Sequence, residues 1–421
     1  MEALLNWLEK KTRTDIRYVI NGSFWMLISQ AVIFLFSLLL LWAFANLTSQ
    51  ELYGQYRFFV TVIGLVSIAS LPGMQTAVIR AVARGNSGVI PEAVRERIKW
   101  GLFGSLAALC GALYYYIQND LTLTKLFLLI ALFAPFYESF LMINAHEVGR
   151  KDYRSFTALS IARYATITLP TLAAVLISTD IIVIFGTFLL ASTVANYGSY
   201  KLSVFLHPLS KSTDTETVAY GRKLSFMSAI ATGAGQLDKI ALWYLAGPVQ
   251  VAVYTIAIAL PRELSGALSQ VVIIALPKMA AQEKMAMHQA LLRKIFIFFL
   301  ASVPLYIFYL ISAPFIFSWF LPQYLDSVLF SQIAALLILL APLTLLTQYF
   351  NATMHTKALY AQQFVIPVIS IILLFVLIPF YGILGAVLAL VAKQICSFFL
   401  LLFFFLTDRH DTPLSISTES S

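Results

Sequence analysis

Charge is what this sequence has least of. Only 11% of its 421 residues are Asp, Glu, Lys or Arg, against about 25% in an average soluble domain. Cysteine is nearly absent. Cys110 and Cys396 are the only two, and both lie inside apolar runs, which reads as small buried hydrophobes and excludes a disulfide framework. The five histidines are scattered without ligand spacing, and His146-Glu147 lacks the second histidine of a zinc-binding helix, so no metal is expected. There is no phosphate-binding loop. Gly233-Ala-Gly235 lacks the third glycine of a dinucleotide fingerprint, so no nucleotide cofactor is expected. No small-residue cleavage site follows the first long apolar run, whose basic leader carries Lys10, Lys11, Arg13 and Arg17, so that run is expected to stay in the mature chain. No stretch between apolar runs approaches the roughly 50 residues of a small soluble domain, which argues against an enzyme built around a separate catalytic module.

What is present is hydrocarbon. Apolar residues make up 60% of the chain and mean hydropathy is +0.84. A soluble protein could not hide that much apolar surface, so the sequence describes a polytopic membrane protein. A membrane helix takes about 20 mainly apolar residues. Twelve such runs can be read, near 18–45, 57–80, 100–118, 122–145, 156–178, 181–206, 223–246, 250–276, 295–317, 330–351, 363–380 and 382–406. Prolines such as Pro72, Pro135, Pro261 and Pro342 punctuate them and predict kinks.

Lys and Arg set the orientation. With the N-terminus inside, most of the 28 cations fall in cytoplasmic stretches, among them Arg80, Arg84, Arg95, Arg97, Lys99, Arg150, Lys151, Lys201 and Arg222. The outer ends hold Arg57 and Lys125. Both termini are therefore expected in the cytoplasm, with the chain a multi-pass protein of the cell's inner membrane. Trp42, Trp243 and Trp319 fall at outer ends, as an interfacial aromatic belt would have them. The net charge of +8 is spread over many loops. No single basic face exists for a nucleic acid, and the partners expected at those loops are membrane lipids.

The two halves echo each other. Leu47, Ser49, Gly54 and Tyr56 recur at one constant offset as Leu245, Gly247, Ala252 and Tyr254. Each set closes one span and opens the next. This predicts an all-α fold of two like-oriented six-helix lobes at 18–206 and 223–406, joined by a polar linker at 207–222. An arm at 1–17 and a disordered tail at 407–421 flank them. Parallel repeats of this kind build alternating-access carriers.

Charges inside the spans are the candidates for function, because each costs at least a few kcal/mol unless it meets water or a partner. The cations are Arg57 at the start of its span, Arg163, Arg262 directly after Pro261, and Lys393. An excess of positive charge in a cavity suits an anionic phosphate or pyrophosphate, which arginine grips with two donors. The acids are Glu138, Asp238 and Glu263. Each could bind a coupling proton or sodium ion, since burial raises a carboxyl's pKa, or could pair across helices. Asp238 and Lys239 are adjacent, so on a helix they point about 100° apart and do not pair with each other.

The stretch from Gln236-Leu-Asp-Lys to Gly247-Pro-Val-Gln-Val-Ala-Val-Tyr254 and on to Pro261 resembles the second-half signature of polysaccharide flippases. These belong to the multidrug/oligosaccharidyl-lipid/polysaccharide exporter superfamily. Asp238, Lys239, Gly247 and Tyr254 match that pattern, and Ala252 stands where the family has Gly. Ala275-Leu-Pro-Lys278, Pro322-Gln-Tyr324, Gly382-Ile-Leu-Gly-Ala386 and Tyr53-Gly54-Gln55-Tyr56 extend the resemblance over nearly the whole chain.

The resemblance implies a V-shaped carrier that flips undecaprenyl-diphosphate-linked oligosaccharide to the outer leaflet for O-antigen, capsule or exopolysaccharide assembly. It implies a cationic cavity for the pyrophosphate and contact with polysaccharide polymerase machinery. By position, Arg57 and Arg262 are similar to cavity arginines of related lipid II flippases. Two other readings stay open. One is a cation-coupled multidrug antiporter of the same superfamily. The other is a membrane glycan polymerase or ligase, disfavoured because no large outer loop is present.

Overall fold

The structure is a computed structural model describing residues 16–210, 214–280, 284–353 and 355–407. The expected arm at 1–17 and tail at 407–421 fall almost wholly outside those residues. The described residues are almost all helical, without strands. We number the helices α1 (Ile16–Leu47), α2 (Gln50–Val66), α3 (Met74–Ala83), α4 (Val89–Ile117), α5 (Leu121–Tyr137), α6 (Met142–Gly149), α7 (Tyr153–Ile177), α8 (Ile181–Leu206), α9 (Thr215–Ala234) and α10 (Leu237–Ala246). They continue as α11 (Pro248–Ala280), α12 (Lys284–Phe320), α13 (Val328–Ala334), α14 (Leu336–Leu340), α15 (Thr344–Ala352), α16 (Thr356–Tyr381) and α17 (Ile383–Thr407).

Among the described residues, eleven stretches are long and apolar enough to cross a membrane. The twelfth expected span, 223–246, is two helices instead of one. α9 and α10 meet at Gly235–Gln236, where the Gln236 N–H donates to the Gly233 carbonyl at 2.9 Å. Two glycines in three residues are weak helix formers, and the local polarity keeps either piece from reading as a full span. Other spans are also broken. α2 passes through a 3₁₀ turn at Ser67–Ser70 and a left-handed Leu71 before α3, because Pro72 disfavours helix in the residue before it. α5 contains Pro135 and ends at Tyr137, and a 3₁₀ turn at Ser139–Leu141 leads to α6. Irregular backbone at membrane depth is tolerated where protein or a wet cavity covers it.

The turns between spans are built from two motifs in sequence. Asn119 and Lys151 adopt positive φ of 61° and 64°. The following N–H groups reach back to Tyr115 and Glu147 carbonyls at 3.0 Å each, which satisfies the last helical carbonyls. Asp120 and Asp152 then cap the next helix by accepting the N–H of Leu123 and Ser155. Asp180 caps α8 in the same way. Acids that are rare in this chain are thus placed at helix starts, where the helix dipole also favours them.

Packing divides the chain into two compact units. One runs through Ile256 and takes up Ile316–Ser327; the other comprises Ala257–Phe315 and Val328 onward. This partition differs from the six-plus-six division read from the repeat. In the first unit α4 packs along α5, α7 along α1 and α8, α9 against α3, and α10 against α2. A Cβ on Gly54 would lie 1.9 Å from the Pro248 carbonyl oxygen, so only glycine permits the two repeated junctions to touch. Phe58 stacks on Trp243 with centroids 4.0 Å apart. Asn46 and Gln50 amides donate to the Phe320 and Gln323 carbonyls at 2.9 and 2.5 Å, which draws residues 316–327 into the same unit.

In the second unit α16 and α17 pair closely, with α13 against α17. An apolar cluster of Leu291, Leu345, Tyr349, Phe350 and Phe405 lies beside them. Side-chain polar links replace the hydrophobic effect as helix glue: Ser265 Oγ donates to the Leu337 carbonyl at 2.9 Å, Tyr309 and Ser331 hydroxyls lie 2.6 Å apart, and Gln362 Nε2 reaches Ser397 at 2.8 Å.

Several sequence expectations are corrected by this geometry. Arg97 was expected in a loop, but α4 begins at Val89, and Arg97 is 2% exposed within it. The charged first turns of α4 had lowered its apparent hydropathy and hidden its true start. Cys110 is exposed, in a row with Leu102, Phe103, Leu106 and Leu113 on the outward face of α4, and is not a buried residue. Trp42 and Trp319 are exposed as a belt requires, while Trp243 turns inward onto Phe58.

Candidate functional site

The first unit holds a polar cluster made by the broken helices. Arg97 lies at its centre. Its Nε donates to the Ser70 carbonyl at 2.6 Å, and its Nη2 reaches Glu138 Oε2 at 3.3 Å. Ser70 ends the 3₁₀ turn after α2, and Glu138 is the residue at the break between α5 and α6. One guanidinium therefore satisfies a carbonyl at one helix break and a carboxylate at the other. Gly101 lets α4 approach this point, since a Cβ there would lie 2.7 Å from Pro135 Cα and 2.9 Å from Ser70 Oγ.

Arg57, on α2, is half-buried, and its Nε is shut off from solvent with no hydrogen-bond acceptor among the described residues. It lies within electrostatic reach of Tyr53, Tyr56 and Tyr137. Tyr137 in turn interacts with Glu138 and Tyr164. Arg163, on α7, is buried. Its Nη1 donates to Asn144 Oδ1 at 2.9 Å and its guanidinium lies 5.7 Å from the Tyr164 ring centroid. Asn196, also buried, donates to the Tyr137 carbonyl at 2.6 Å, and its Oδ1 is buried without a partner. The structure thus joins Arg57 and Arg163 to one tyrosine-rich polar network. Arg163 meets an amide and an aromatic face, while the acid of this region, Glu138, is already paired to Arg97.

The other expected residues are placed differently. Asp238 sits in the first turn of α10 and is buried. Its Oδ2 accepts the Tyr254 hydroxyl at 2.8 Å and its Oδ1 accepts the Lys239 N–H at 2.8 Å. The matching Asp and Tyr of the sequence signature are therefore bonded to each other. Gly247 ends α10 with φ of 89°, a conformation that glycine adopts without strain. Arg262 and Glu263 are exposed on α11, and Lys393 is half-buried on α17; these three belong to the second unit.

Sequence reasoning missed Arg97. A cation three residues before the start of an apolar run resembles an ordinary loop charge, and only the unusual length of α4 distinguishes it.

The chain has no match among models of known protein families and none among curated proteins. Solved structures do resemble it. A multidrug resistance MATE family transporter of the MOP superfamily, in an inward-facing conformation, superposes with a TM-score of 0.63 at 13% identity, covering 91% of this chain and 96% of that one. The lipid II flippase MurJ, in an inward closed conformation, gives 0.62 at 16% identity, covering 91% and 87%. A MOP superfamily transporter from Pyrococcus furiosus, described as having a binding pocket of reversed polarity, gives 0.61 at 14% identity, covering 93% and 95%.

The chain therefore has the multi-pass helical fold of MOP-superfamily proteins. The three relatives in that fold are transporters or flippases, not enzymes.

Proposed function

We propose that this protein is a MOP-superfamily carrier that flips undecaprenyl-diphosphate-linked oligosaccharide across the cell membrane for surface polysaccharide assembly. Both termini are cytoplasmic, and two like-oriented six-helix halves alternate access. The observation that carries the reading is Arg57 Nε, a buried charged donor with no acceptor among the described residues. An unmet buried donor of this kind costs about 1–3 kcal/mol, and a diphosphate oxygen would supply the missing acceptor. Among the described residues Arg163 meets Asn144 and the Tyr164 ring, both neutral, so it adds net positive charge to the same network. Tyr137 and Tyr164, each partly exposed, offer aromatic surface of the kind that packs on lipid or sugar, while Tyr53 and Tyr56 are buried in the core. Arg262 and Lys393 are the second half's contribution to anion binding. Coupling falls to the exposed Glu263, because Glu138 and Asp238 are each held by internal bonds. The outer-leaflet product is passed to polysaccharide polymerase machinery.

A cation-coupled multidrug antiporter is the competing reading, favoured by the likeness to a multidrug MATE transporter. One experiment separates the two. Arg57→Ala is expressed at the normal level, and the fraction of lipid-linked oligosaccharide reaching the outer leaflet is measured. A fall of about tenfold is expected, the effect of losing one charge-assisted hydrogen bond. Undiminished flipping removes Arg57 from the mechanism. Drug sensitivity with intact surface glycan on deletion of the whole protein selects the antiporter.

A further inference from the structure

In the first unit, three elements bring together Glu147, Asp152 and His207. Glu147 lies in α6 and is 1% exposed. Asp152 is the cap of α7, and His207 is the cap that ends α8. Ligand atoms of these three all lie within 4.8 Å of one another. His207 Nδ1 is 3.5 Å from Glu147 Oε1, and His207 Nε2 is 3.6 Å from Asp152 Oδ2. These separations are too long for hydrogen bonds. An imidazole offers one nitrogen to a given cation, so one of the two separations is a ligand–ligand edge, and either is close to the ~3.4 Å edge of a tetrahedron of ligands around a zinc-sized cation with bonds near 2.0–2.1 Å; the three ligand atoms stay within 4.8 Å of one another.

The Ser203 hydroxyl donates to Glu147 Oε1, the oxygen that faces His207, while Glu147 Oε2 is fully buried with no partner among the described residues. The Ser155 N–H donates to Asp152 Oδ1 at 3.0 Å, leaving Oδ2 toward His207. His207 Nδ1 is likewise buried without a hydrogen bond among the described residues. Outer hydrogen bonds to a ligating carboxylate are what orient it toward a metal. The backbone fold supports this placement. Lys151 takes the left-handed position after α6, and the Asp152 N–H returns to the Glu147 carbonyl at 3.0 Å, which fixes Asp152 beside Glu147. His146, wholly buried, stands behind with its ring centroid 6.4 Å from that of His207. Arg150 is the cation that acts on Asp152 and His146.

We propose that Glu147, Asp152 and His207 form a binding site for a divalent transition-metal cation of the zinc type. Two carboxylates and one imidazole suit such a cation better than magnesium, which demands near-octahedral oxygen ligands and keeps its waters. Three protein ligands leave a fourth position for water. A bound cation neutralises two clustered carboxylates and clamps the α6–α7 turn to the end of α8. The site stands independently of the flippase reading, since its residues belong to neither the arginine network nor the repeat signature.

The test is a Zn²⁺ titration of the full-length protein in detergent by calorimetry, paired with thermal unfolding with and without Zn²⁺. The decisive variant is Asp152→Asn, because asparagine is as good a helix cap as aspartate and preserves folding while weakening ligation. The native protein is expected to bind one equivalent and to melt higher with Zn²⁺. Asp152→Asn and His207→Ala are expected to weaken binding at least about tenfold, and Ser203→Ala about 10–100-fold through Glu147. Binding by Asp152→Asn and His207→Ala equal to that of the native protein, or no saturable binding by the native protein, overturns the proposal. So does a pH-dependent melt that Zn²⁺ leaves unchanged, which would assign the three residues to an ion-paired cluster.

Discussion

Arg97 Nη2 lies 3.3 Å from Glu138 Oε2, and this pair joins two interrupted helices. Arg97 is almost fully buried, while the Glu138 side chain is 32% exposed. The arginine is therefore the member that cannot be solvated by any other route. Its Nε bond to the Ser70 carbonyl turns the pair into a three-way link between α4 and the breaks following α2 and α5. Bonds of this sort let a membrane protein keep broken helices, because the freed carbonyls find a partner inside the protein.

Removing the arginine leaves a carboxylate and a carbonyl without their donor. Arg97→Ala is expected to cost about 3–5 kcal/mol, the loss measured when one partner of a buried pair is deleted. Glu138→Gln should cost less, since the amide still accepts a hydrogen bond and its site is partly wet. Thermal unfolding in detergent gives both values. Equal melting of the native protein and Arg97→Ala would mean the link carries no stability.

The contact between the repeated junctions sets a steric prediction. A methyl group at Gly54 would overlap the Pro248 carbonyl, and backbone atoms cannot yield as a flexible side chain can. Gly54→Ala is expected to destabilise by at least the 1–3 kcal/mol typical of overpacking. Gly198→Ala is the control, since no atom lies within 4 Å of its added Cβ. Comparing the yields of folded protein from the two variants checks the claim.

Asp238 and Tyr254 can be assigned by a double-mutant cycle. If the bond between them is structural, Tyr254→Phe and Asp238→Ala each lower stability and the double variant adds little beyond the worse single. Asp238→Asn should then remain near native, because its amide oxygen can still accept the tyrosine hydroxyl. A strong transport defect in Asp238→Asn with native stability would restore the acid to ion coupling.

Acid should loosen the start of α9. The Thr217 hydroxyl and N–H both donate to Asp214, and these hydrogen bonds hold its carboxyl below the ordinary carboxylate value. A depressed folded pKa contributes stability above the unfolded value of about 3.9, and that contribution is lost as pH falls through the folded one. Amide protection across Thr215–Ala219, relative to the intrinsic exchange rate at each pH, should fall below about pH 4 in the native protein. The pH response should be smaller in Thr217→Val, which lacks the hydroxyl. An identical pH response in the two would remove the cap from the account.

Much of the architecture was legible because the bilayer imposes a simple rule. A span must be apolar over about 20 residues, so runs such as 181–206 and 382–406 coincide closely with α8 and α17. The rule failed where the protein itself substitutes for lipid. The span at 223–246 divides at Gly235–Gln236, and α4 starts among charges that sequence reading assigned to a loop. In both places the cost of polar backbone or charge is met by tertiary partners that hydropathy does not register. Arg57 and Arg163 were recognisable as expensive residues, but the tyrosines around them come from three different helices.

The sequence by itself determined the class: a chain of apolar runs, basic in most of its connections, with a signature whose Asp238 and Tyr254 are in fact bonded. Those features follow from hydrophobic transfer and from short-range turn chemistry, which act within a few residues. Only the tertiary structure decided that Arg97 joins two helix breaks, that Gly54 meets Pro248, and that Glu147, Asp152 and His207 converge. Each of those depends on side chains brought together across long separations, and desolvation sets their roles only once the neighbours are in place.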